Sequence, residues 1–344
     1  MQTKRIIFLD VLRVFSFSVI ILYHFLKDLV IRGLADIPDP DTVMASGSLH
    51  LVMLAVGLFF MISGAGLTLR TERRGSLDPA EFYRSRFLQL LVPFYIVYGV
   101  YALFRLIRTR GAVFAGIPAW RFAFTLLGMD EYVNMTGLRT FSLGIGEWFL
   151  GALVMMYLLF PLLYTCMKRW KLPFFLLATA GYLWLVFTYH SHIPWHMNAA
   201  VKLYEFILGM YMAAHREWLK THVFFFLVLG APFLGIPAAL INTASCACLF
   251  MIGILLEDGL FSRIPEDWAA VLQTISGYSY YVFLVHHVII YTFDNALAGR
   301  IILGKKLMLL LFLVEVLCMA ACAMGLEKIC GRIRKAAGRL TAKG

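Results

Sequence analysis

Long unbroken apolar runs, separated by short charged or Gly/Pro-bearing breaks, fill most of the 344 residues. They are too continuous for the strands of a membrane barrel, which alternate apolar and polar positions. At about 1.5 Å of rise per residue, about 20 apolar residues in a helix cross the roughly 30 Å of hydrocarbon in a bilayer. On that length the runs predict ten spans, near residues 6–26, 47–69, 87–107, 147–167, 172–188, 199–214, 222–236, 238–256, 269–293 and 307–327. The cluster Ala231, Pro232, Gly235 and Pro237 predicts a tight turn between the seventh and eighth. The fold class is therefore all-α, a polytopic transmembrane helical bundle. No low-complexity linker or internal repeat divides residues 1–344, which read as a single integral-membrane domain.

Composition agrees. Hydrophobic residues make up 61% of the chain and charged residues 15%, against about 45–50% and about 25% in a soluble domain. That excludes a soluble enzyme, a disulfide-stapled secreted domain and a disordered protein. The net charge of +11 does not point to nucleic acid, because no basic segment carries the motif of such a binder. Basic residues of polytopic proteins gather in cytoplasmic loops instead. With the N-terminus placed inside, nineteen Lys and Arg fall in inner segments and ten in outer ones. This predicts both termini in the cytoplasm, an even number of spans, and a basic tail lying against anionic membrane lipids. Lys4 and Arg5 precede an apolar stretch, but Asp10 and Arg13 interrupt it and no small-residue cleavage site follows, so the first span is retained.

Six cysteines form no C-x-x-C pair and read as small packing residues. His190, His192 and His196 are interrupted by Pro194 and joined by no acid, so no metal site is read from spacing. The outer segment between the third and fourth spans is long for a connection and is a candidate lid or acceptor surface.

The informative residues are those that the apolar majority should have excluded. The first span carries Asp10, Arg13 and His24. Ionisable groups at membrane depth are costly and are a functional-site hypothesis by default. At about 100° per residue, the eleven steps from Arg13 to His24 end about 20° past three full turns, so both share one face, about 16–17 Å apart along the axis. Asp10, three residues before Arg13, neighbours it. A fixed cation in the inner half suits a polyanionic ligand from the cytoplasm. A histidine near the outer end can take a proton from a hydroxyl.

Arg13-x10-His24 within Leu9-Asp10-Val11-Leu12-Arg13 resembles the signature of the membrane-bound acyltransferase 3 family. Five further segments, in the family's order, are similar to it: Phe59-Phe60-Met61-Ile62-Ser63-Gly64; Phe82-Tyr83-Arg84-Ser85-Arg86 leading to Pro93-Phe94-Tyr95; Trp148-Phe149-Leu150 with Tyr157 and Pro161; Phe206-Ile207-Leu208-Gly209-Met210; and Ser276 to His286. The resemblance implies about ten helices and a cytoplasmic N-terminus. It implies transfer of an acyl group, acetyl being the expected case, from cytoplasmic acyl-CoA to a hydroxyl of a surface or lipid-linked glycan at the outer side. Acyl-CoA enters as co-substrate, with no bound cofactor. The location implied is the cell (inner or plasma) membrane.

By that resemblance Arg13 serves the donor and His24 the catalysis. Arg84 and Arg86 join Arg13 as candidate donor contacts with Asp10, while Gln89 stands where many relatives carry a second basic residue. Ser63 and Gly64 admit either a neighbouring helix or the narrow arm of the donor. Glu147, at the outer end of the fourth span, is a candidate partner of His24. Trp148, Tyr281 and His286 are candidate acceptor or accessory residues, and Glu315, deep in the last span, requires a partner. A transporter that passes substrate or protons along the same buried charges is the rival reading. No further domain follows the last span, so the chain is expected to act alone or to hand product to a separate partner.

Overall fold

In the computed structural model, which describes residues 6–46, 49–221 and 237–341, the apolar runs are helices. The span expected over 222–236, the basic residues Lys4 and Arg5, and Lys343 lie outside the described residues. Among the described residues the long helices are α1 (Ile7–Ile31), α2 (Leu51–Arg74), α3 (Pro79–Arg108), α4 (Glu147–Phe187), α5 (Ala199–Ala214), α6 (Ala238–Glu257), α7 (Glu266–Leu297) and α8 (Lys305–Thr341). The described strands are one antiparallel pair of two residues each, Ala45–Ser46 against Leu49–His50. Among the described residues, α1, α2, α3, α4, α6 and α8 are long and apolar enough to cross a membrane. The sequence places two spans here, over 147–167 and 172–188, and the 41 residues of α4 divide into two helices at a kink between them. Its backbone leaves helical geometry at Lys171 (φ 18°, ψ −102°), two residues before Pro173. Proline cannot donate the helical N–H, and the kink at Lys171 separates two helices between the two expected spans.

Local chemistry sets the helix ends. The first N–H groups of a helix lack internal partners, and at α1 the Glu257 carboxylate accepts from the N–H of Ile7 (3.0 Å) and Phe8 (2.9 Å). Asn198 caps α5 by accepting from Ala200 N–H at 2.9 Å. Gly75 ends α2 in the left-handed conformation, φ 74°.

The residues group into two compact units. The first comprises Met1–Ile20, Asp41–Asp78 and Met155–Gly277. Its core joins Phe8, Leu58, Met61, Ile62, Phe250 and Ile254, with the Phe8 and Phe250 rings edge to face at 5.1 Å. Here α2 and α5 cross at two glycines. A Cβ on Gly64 would meet the Phe206 carbonyl oxygen at 2.1 Å, and one on Gly209 would meet the Met61 carbonyl oxygen at 2.1 Å. Contacts that close with rigid backbone leave no room for a methyl group. Gly209→Ala is therefore expected to destabilise the protein by about 1–3 kcal/mol or more, seen as a lowered midpoint of unfolding in detergent. An unchanged midpoint would show that the helices separate freely there.

The second unit comprises Ile21–Pro40, Pro79–Val154 and Tyr278–Gly344. Its packing includes Phe149 against Phe283, ring centroids 5.2 Å apart. The Tyr98 hydroxyl donates to the Phe141 carbonyl at 2.8 Å, and that of Tyr280 to the Leu90 carbonyl at 2.8 Å. In α8, Leu311, Glu315, Met319, Ala323, Leu326 and Cys330 form a buried stripe at helical spacing. Leu309, Leu310, Leu313 and Leu317 remain exposed. A helix apolar on both its inward and its uncovered side is suited to lipid rather than water, and the chain is a multi-pass membrane protein.

Candidate active site

Two clusters bring together Asp10 with Arg13, and His24 with Glu147 and His286, of the residues singled out from the sequence. The first is in the first compact unit. The Ser276 hydroxyl donates to Asp10 Oδ1 at 2.7 Å and accepts from Arg13 Nη1 at 2.9 Å. Arg13 Nη1 also lies 3.7 Å from Asp10 Oδ1. Asp10 is buried, whereas the Arg13 side chain keeps 29% of its surface. A buried acid and one hydroxyl hold the guanidinium in place on a side chain that stays partly exposed. Sequence spacing does not point to Ser276 as a partner, because 263 residues separate it from Arg13.

The second cluster is in the second unit, at the start of α4. Glu147 has φ 45°, a left-handed conformation that costs a residue with a Cβ about 1–2 kcal/mol. Gly144 (φ 76°) and Gly146 (φ 77°) lead into it. The Glu147 carboxylate faces three histidines: Oε1 lies 3.5 Å from His24 Nε2, 3.2 Å from His286 Nε2 and 2.5 Å from His287 Nε2. The His24 and His287 rings are 4.3 Å apart. The ligand-type atoms of these four residues all lie within 4.8 Å of one another, the spacing a bound metal ion needs. Three separate helices supply them, so no motif spacing along the chain reveals the set. Of the four, His287 is the one not singled out from the sequence. Its signal was the adjacent pair His286-His287 in an apolar helix.

Because α1 runs unbroken from Ile7 to Ile31, Arg13 and His24 keep the axial spacing of about 16–17 Å expected of a continuous helix. The remaining candidates are less concentrated. Arg84 Nη2 donates to the Ala337 carbonyl at 2.9 Å, tying α3 to α8. Arg86 Nη2 and Gln89 Nε2 both reach the Ser85 hydroxyl, at 3.4 and 3.3 Å. Tyr281 accepts from Arg334 Nη1 at 2.8 Å. Trp148 is buried, its ring 6.3 Å from that of Phe149. Gly64 is in the helix crossing described above, and Ser63 next to it is half-buried. Glu315 has acids for neighbours, Asp294 and Asp28.

Outside the spans, burial dominates the ionisable groups. Burial pushes Asp130 up to about 6, partly countered by the Thr125 and Thr140 hydroxyls. Burial, followed by the charge of Lys202, lowers His196 to about 4.

No curated protein and no solved structure matches the chain. A family model described as an acyltransferase domain matches residues 6–327, a stretch that contains Asp10, Arg13, His24, Ser276 and the whole Glu147 cluster. The protein accordingly belongs to the acyltransferase 3 family and is an integral-membrane acyltransferase.

Proposed function

We propose that the protein moves an acyl group, acetyl in the first instance, from cytoplasmic acyl-CoA to a hydroxyl of a surface or lipid-linked glycan on the outer side of the cell membrane. The observation that carries this reading is His24 beside Glu147, 3.5 Å from its Oε1, on the same continuous helix as Arg13. His24 acts as general base on the acceptor hydroxyl. The hydroxyl oxygen attacks the thioester carbonyl carbon while His24 takes its proton. The C–S bond breaks, the ester forms, and the proton passes from His24 to the departing CoA thiolate. Glu147 stabilises the imidazolium that exists between those two proton transfers. Arg13, held by Asp10 and Ser276, binds the phosphates of the donor, and the extended pantetheine arm bridges from there to His24. Both termini are placed in the cytoplasm, in line with the excess of basic residues in the inner segments.

The test is consumption of radiolabelled acetyl-CoA by the purified protein in proteoliposomes. Arg13→Ala should raise the donor KM at least tenfold and leave kcat less affected, because it removes binding rather than proton transfer. A transporter using the same charges would consume no donor in either form.

A further inference from the structure

We infer that Glu147, His286 and His287 hold a divalent transition-metal ion, with zinc best matched to the donor set, and leave its fourth position to the acceptor oxygen beside His24. The inference rests on the acyl-transfer reading only in keeping His24 as the base rather than as a ligand.

The argument starts from one hydrogen. His286 Nδ1 lies 2.6 Å from the Phe283 carbonyl oxygen. A carbonyl oxygen can only accept, so Nδ1 carries the hydrogen. In the neutral ring, Nε2 then presents a lone pair, and it faces Glu147 Oε1 at 3.2 Å. That oxygen is an acceptor too. Both atoms are buried, and among the described residues neither has a hydrogen-bond partner in good geometry, His286 being only 1% exposed. Two acceptors facing each other at that distance repel, and a cation between them reverses the sign. The arrangement at His286 is also the usual one for a metal-bound imidazole, whose other ring N–H donates to a carbonyl or carboxylate and fixes the tautomer.

The separation of Glu147 Oε1 and His286 Nε2 is that of two ligands on one ion. Bonds of about 2.0–2.1 Å in a tetrahedron set ligand atoms about 3.3–3.4 Å apart. Glu147 Oε1 and His286 Nε2 are at 3.2 Å, and only His287 Nε2, at 2.5 Å, has to back away, by about 0.8 Å on that geometry. Two imidazoles and one carboxylate with an open position form a catalytic zinc set. When bound, such an ion lowers the pKa of an oxygen ligand. The hydroxyl proton still goes to His24, and the metal changes neither oxidation state nor the balance of the transfer.

The experiment uses full-length protein carrying a non-histidine affinity tag, purified in detergent. Metal content is measured before and after chelator treatment, and after return of zinc alone or Co2+ alone. One equivalent of zinc per chain is expected, with the visible absorption of low-coordinate Co2+ in the substituted form. His286→Gln and His287→Gln should each weaken binding about 10–100-fold or abolish it, with an unchanged gel-filtration profile. His24→Ala should keep the zinc and lose acyl transfer. A wild-type protein that takes up neither zinc nor Co2+ overturns the proposal even if the variants do not fold. Equal binding in both histidine variants also overturns it, and zinc lost in a folded His24→Ala protein overturns the open position. Full-rate acyl transfer by metal-free protein would reject the metal and leave the transfer reading standing. Stoichiometric zinc in a protein that never consumes acyl-CoA would do the reverse.

Discussion

His24→Ala is expected to lower acyl transfer about 10²–10⁴-fold, the usual worth of a positioned general base, while the protein stays folded and still binds donor. The loss should fall on kcat, because His24 is assigned a role in proton transfer and Arg13 the grip on the donor. His24→Gln should do no better than alanine. An amide fills the space and can hydrogen-bond, yet it takes up no proton at neutral pH. The measurement is product formation from labelled acetyl-CoA in proteoliposomes at saturating donor, with gel filtration confirming the fold. Unchanged turnover in either variant would remove His24 from the chemistry and with it the proposed mechanism.

Lys202→Met is expected to cost about 3–5 kcal/mol of stability. In α5, the Lys202 ammonium is wholly buried and donates to both oxygens of the equally buried Glu205, at 3.0 and 3.1 Å. Glu205 Oε1 also accepts from Asn242 Nδ2 (3.1 Å) and Thr243 Oγ1 (3.1 Å) of α6. Removing the lysine leaves a carboxylate with two neutral donors and no counter-charge, and the penalty is that stranded charge rather than the value of the pair itself. The double variant Lys202→Met/Glu205→Gln should therefore recover most of the loss. Thermal unfolding in detergent of both singles and the double separates the two effects. Single variants that each cost under about 1 kcal/mol would show water reaching the site.

What could be read in the sequence follows from the distance over which a cause acts. Asp10, Arg13 and His24 share one helix, so helical geometry alone placed them on one stripe. The two spans over 147–167 and 172–188 were also legible, because the charges between them act locally, and α4 kinks at Lys171 between the two. Ser276, His286 and His287 are brought to their partners only by the packing of α7, and no spacing rule reaches across more than a hundred residues. Gly64 shows a different limit. A small residue in an apolar helix is compatible with a ligand or with a neighbouring helix, and only the Phe206 carbonyl against it identifies the helix contact. Glu315 required a partner by membrane energetics, yet those energetics did not foretell that its neighbours would be acids.

The left-handed start of α4 sets durability against chemistry at a single position. Glycine, already used at 144 and 146, would fit residue 147 without strain. Glutamate there makes the chain less stable than its own backbone would allow, and puts a carboxylate among three imidazoles. A search for stabilised variants of this protein that ignored activity would be drawn to Glu147→Gly, and would select against the acyl-transfer chemistry proposed here.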